Sequence, residues 1–138
     1  MLLVAFVGAT PLLFPQLMHI PLSAELRAAY VRLAAQPELR CVNVFESVGR
    51  VHGTAAVGVR HELLIQATVA APLPDYVPLS TRLAGIALAR YPDAASEDLI
   101  SVRLARGFDI GIASSWHYNE LALKPEQWAD RVAAGVGN

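Results

Sequence analysis

The sequence predicts an α+β fold: an antiparallel sheet of four strands, five if residues 2–7 join it, with two helices packed on one face, in the order α-β-β-α-β-β-α. Three observations predict it. The chain has 138 residues, 54% of them apolar and 17% charged, which suits one domain with one core and excludes a disordered chain. Stretches with three-and-four apolar spacing take turns with stretches of strict alternation. Glycine and proline clusters fall between them, where the chain must turn.

Residues 1–24 carry no Asp, Glu, Lys or Arg. A membrane span needs about 20 apolar residues in helix, and Pro11, Pro15 and Pro21 interrupt one here. Val7, Gly8 and Ala9 resemble a signal-peptidase site, yet no basic segment precedes them, and residues 2–7 are shorter than the usual apolar run of a signal. Residues 1–22 are therefore read as a segment apart from a domain over 23–138. They form a truncated export signal or anchor, an arm, or a buried strand at 2–7.

A helix is predicted from Ser23, its N-cap, to Pro37, with Leu26, Ala29, Tyr30 and Leu33 on one face. Alternation of Val42 and Val44 against Asn43 and Ser47 predicts a strand over 41–48. Gly49, Gly53 and Gly58 predict a loose turn into a second strand over 61–70. There Leu63, Ile65, Ala67 and Val69 form the apolar side. Pro72, Pro74 and Pro78 mark a connector, and a helix follows over 79–91, closed by Pro92. A third strand is expected over 99–105 and a turn over 107–111. A fourth strand over 112–123 has Trp116 and Tyr118 on one face, expected to be the core face, and His117 and Asn119 on the other. Pro125 opens a short last helix with Trp128 and Val132.

The chemistry legible in the sequence is mostly negative. Eleven Lys and Arg against twelve Asp and Glu leave a net charge of −1, without the basic footprint of a nucleic-acid binder or a reason to adsorb to acidic lipid. The ten arginines are scattered, with no stripe along the chain. Cys41 is the sole cysteine, so thiolate zinc sites are excluded, and in a strand it reads as a small buried residue. The four histidines follow no zinc motif. Ser114 and Ser115 lack the flanking glycines of a nucleophile elbow, and no phosphate-binding glycine loop occurs, so no metal, nucleotide or other cofactor is expected.

Aromatic and cationic side chains concentrate in one place. The hairpin presents Arg106, Phe108, Asp109, Ser115 and His117, with Asp109 more suited to holding the turn than to ligating. The reading is a small, non-enzymatic binding or protein-interaction domain, the soluble part of an envelope protein if residues 1–22 are an export signal and cytoplasmic otherwise. A protein partner or self-association is expected, with membrane contact only through an N-terminal anchor. The alternatives are a small enzyme or ligand-binding fold, using His61, Asp109, Ser115 or His117 in a pocket between sheet and helices, and a homo-oligomer assembled through residues 2–22.

Overall fold

The computed structural model describes residues 23–52 and 57–136 of the chain. Helix α1 spans Ala24–Ala34, strand β1 Leu39–His52, β2 Val57–Val69, helix α2 Val77–Arg90, β3 Leu99–Asp109, β4 Ser114–Leu123 and helix α3 Pro125–Ala133, with a 3-10 turn at Pro92–Ser96. The order α-β-β-α-β-β-α is the one the sequence predicts. Residues 1–22, where a fifth strand, signal or arm was read, lie outside the described residues.

Each helix begins where the sequence supplies an acceptor. Ser23 Oγ accepts from the Leu26 amide at 3.1 Å, and the Asp75 carboxylate accepts from the Val77 amide at 2.9 Å. The Gln127 side chain accepts from the Lys124 amide at 3.0 Å, ahead of Pro125 in the first turn of α3. Tyr91 and Pro92 end α2, because proline cannot donate the next helical bond.

The four strands form one sheet in the order β1-β2-β3-β4. It is mixed, which corrects the antiparallel sheet expected from the sequence. The β1–β2 and β3–β4 pairs are antiparallel hairpins, but β2 and β3 run parallel. The cause is the connection: α2 carries the chain back to the end of the sheet from which β2 began, and a helical crossover between neighbouring strands gives a parallel pair.

Three helices, not two, take part in the core. Leu26 and Leu33 of α1, Leu79 and Leu83 of α2 and Trp128 of α3 pack on Val42, Val44, Leu63, Ile65, Ile100, Val102 and Leu104. Trp128 is fully buried, and its indole donates to the Ile100 carbonyl at 2.8 Å. This bond ties α3 to β3 and satisfies the ring's one polar group.

The register sorts the other face into rows. Phe45, Leu64, Ser101 and Ala122 lie side by side, then Asn43, Gln66, Arg103 and Glu120, then Cys41, Thr68, Ala105 and Tyr118. No described element covers these rows. Cys41 is accordingly exposed, against its expected burial, and its thiol donates to Thr68 Oγ1 at 3.3 Å.

Candidate functional site

Strand β4 is one edge of the sheet, hydrogen-bonded to β3 alone among the described strands. Its first seven residues are exposed. The sequence pattern explains why: Ser114, Ser115, His117 and Asn119 offer little to bury, while Trp116 and Tyr118 point to the side that carries no helix. Both aromatics had been expected in the core. They are 41% and 57% exposed, and Trp128 holds the buried place instead. Alternation puts Trp116 and Tyr118 on one face correctly, but it does not say which face is covered.

Trp116 rests directly on its cross-strand neighbour Gly107. A Cβ at position 107 would meet Ser115 O at 2.1 Å and the Trp116 ring at 2.6 Å, so the close approach requires glycine. Gly107 is thus a strand residue, and the turn expected over 107–111 lies further on. Ile110 N donates to Ala113 O at 3.1 Å across it, and Gly111 supplies the left-handed residue with φ 80°.

The five residues singled out in the sequence all fall in this hairpin. Arg106 lies opposite His117, Phe108 opposite Ser115 and Asp109 opposite Ser114. Arg106, Ser115 and His117 are exposed, and Ser115 and His117 share one side of the strand, as their spacing requires. The side chains of Phe108 and Asp109 lie outside the described residues. His61 stands apart on β2, so the alternative cluster of His61 with Asp109, Ser115 and His117 is divided between two hairpins.

At its root β4 borders a groove of about 270 Å3, with Asn119, Glu120 and Leu121 on one wall and Asp75, Tyr76 and Ser80 of the α2 entrance on the other. On the uncovered face Arg103 pairs with Glu120, its Nη2 lying 2.7 Å and its Nε 2.8 Å from Glu120 Oε2. In the sequence, residues 74–77 read only as a connector. The missed signal is the Asp75 turn, which sets the start of α2 beside β4.

Compared with family models, with curated proteins and with solved structures, the chain matches none.

A second polar group gathers at the far side of the sheet. The Tyr91 hydroxyl donates to Glu46 Oε1, and Asp98 both accepts from the His61 amide at 2.7 Å and donates its own amide to His61 O at 2.9 Å. Desolvation raises the Glu97 pKa, Glu46 and the neighbouring aspartates add to the rise, and His61 opposes it. These contacts tie the end of α2 to β1 and the start of β3 to β2. Among the described residues, no three His, Cys, Asp or Glu side chains are placed to hold a metal ion, and no helix is long and apolar enough to cross a membrane.

Proposed function

We propose that this protein is a small interaction domain that receives an extended segment of a partner protein along β4. The observation that carries the reading is the edge of β4, unpaired among the described strands, beside an open groove. A strand edge presents main-chain donors and acceptors that a second strand can pair, and pockets beside it select the partner's alternate side chains. Each main-chain bond gained in this way contributes about 0.5–1.5 kcal/mol net. The exposed rings of Trp116 and Tyr118 and the cation of Arg106 supply the anchor types common in protein interfaces. The proposed role is binding rather than catalysis.

Peptides selected from a random library against the folded protein test this reading. Binders are expected to shift the backbone amide resonances of residues 119–121 and Tyr76, and to keep most of their affinity at high salt, because main-chain pairing carries no net charge and only the Arg106 contact is screened. A selection without binders, or with binders whose shifts centre elsewhere, counts against it.

A further inference from the structure

Three of the ten arginines, scattered in sequence, meet in space. Arg32 in the last turn of α1 and Arg82 and Arg90 of α2 line a groove of about 280 Å3 among the three helices, with Gly85, Ile86 and Val132 as its apolar surface. Positions 82, 85, 86, 89 and 90 recur at the three-and-four spacing of one helix face, so a single stripe of α2 carries a guanidinium at each end. Eight residues of helix separate those ends, about 12 Å along the axis. Val132 comes within 3.0 Å of the Cβ position that Gly85 lacks, so α3 packs close against this floor.

The charges in this groove are unevenly answered. Nη2 of Arg82 pairs with Glu38 Oε1, and the contact holds the Glu38 carboxyl below its ordinary pKa. Arg82 Nε and Glu38 Oε2 are buried yet have no hydrogen-bond partner among the described residues. A buried guanidinium N–H without an acceptor is costly. No described carboxylate forms an ion pair with Arg32 or Arg90. Cations in the last turns of α1 and α2 also complement the helix dipoles. That role accounts for Arg32 and Arg90 singly, but not for their meeting over an apolar floor with Arg82, which lies in the second turn of α2.

We infer that this groove binds a small organic anion bearing two acidic groups, one held near Arg32 and Arg82 and the other near Arg90. Guanidinium is suited to this task because its planar fork matches carboxylate and phosphate oxygens. The volume lies just under the usual range for ligand sites, which selects a compact molecule. The inference stands independently of the β4 reading, since the two grooves share no lining residue.

Citrate and inorganic phosphate are the probes, titrated calorimetrically into the full chain at an ionic strength matched with sodium chloride. Saturable citrate binding, tighter than phosphate, is expected. Arg32→Gln with Arg90→Gln is expected to weaken it by about tenfold or more, while the ligand-free protein still unfolds cooperatively, its midpoint lowered only by the lost helix-dipole contacts. Citrate is also expected to shift the Gly85 and Ala89 amide resonances. Absence of saturable binding, or a smaller loss in the double variant, overturns the site; phosphate binding as tightly as citrate overturns its two-ended form. If the double variant does not fold, Arg90→Gln alone, at an exposed position, decides between the same outcomes.

Discussion

The groove beside β4 and the groove among the helices are nearly equal in size, about 270 and about 280 Å3, yet they are built from different materials. A strand edge forms one wall of the first, so much of its recognition chemistry is main-chain amide. The second is walled by helices whose main chain is already paired, so only side chains can recognise a ligand there. The contrast teaches that topology creates one kind of site and periodicity the other. An edge exists wherever a sheet stops, whatever its side chains; an arginine stripe exists only because residues 82 and 90 fall on one face of α2.

The largest expected effect falls on the core and on the helical groove. Trp128→Ala empties a fully buried site and leaves the Ile100 carbonyl without its donor, so about 3–5 kcal/mol of stability should be lost, measured by denaturant unfolding. α3 would detach from β3 at one end and from Gly85 at the other.

Gly107→Ala separates the two grooves. The added methyl meets a backbone oxygen and the Trp116 ring, which should cost about 1–3 kcal/mol and change the tryptophan emission of the hairpin. The helical groove should keep its citrate affinity. Ser23→Ala acts on the opposite side: loss of the cap on α1 should cost about 1 kcal/mol by thermal unfolding, with the β4 amide resonances unmoved.

Acid should also discriminate. The Arg82 hydrogen bond, foremost among the causes, lowers the Glu38 pKa, so this pair's contribution is present above the ordinary carboxylate range and lost as pH falls through the lowered value. Glu97 has the opposite sign: its raised pKa means that stability falls as pH rises through the carboxylate range, and Glu97→Gln should abolish that part of the profile. Stability measured against pH in the two variants Glu38→Gln and Glu97→Gln separates the arms. The smallest effect is expected for Arg103→Ala, which breaks an exposed pair on the uncovered face and should cost about 0.2–1 kcal/mol.

Much of this architecture was legible in the residues, for physical reasons that also mark where legibility stops. Leu63, Ile65, Ala67 and Val69 alternate because one side of β2 is under helices, and all four are buried as read. The hairpin of β3 and β4 was legible because hairpin partners are also close in sequence. The parallel β2–β3 pair was missed although a helix between the two strands implies it. Glycines 49, 58 and 107 were read as breaks, but the ladders run through them. The arginine groove is invisible in one dimension, since Arg32 lies fifty residues before Arg82 and only the packing of α1 on α2 joins them.

The parallel pairing of β2 with β3 has a kinetic consequence. Each hairpin closes a short loop, whereas joining the hairpins must first fix the whole connection through α2, at a larger entropic cost. The hairpins should therefore form early, and their docking across α2 should limit the folding rate. Leu83→Ala, in the buried face of α2, should slow refolding, while Tyr118→Ala, on the exposed edge, should leave its rate nearly unchanged.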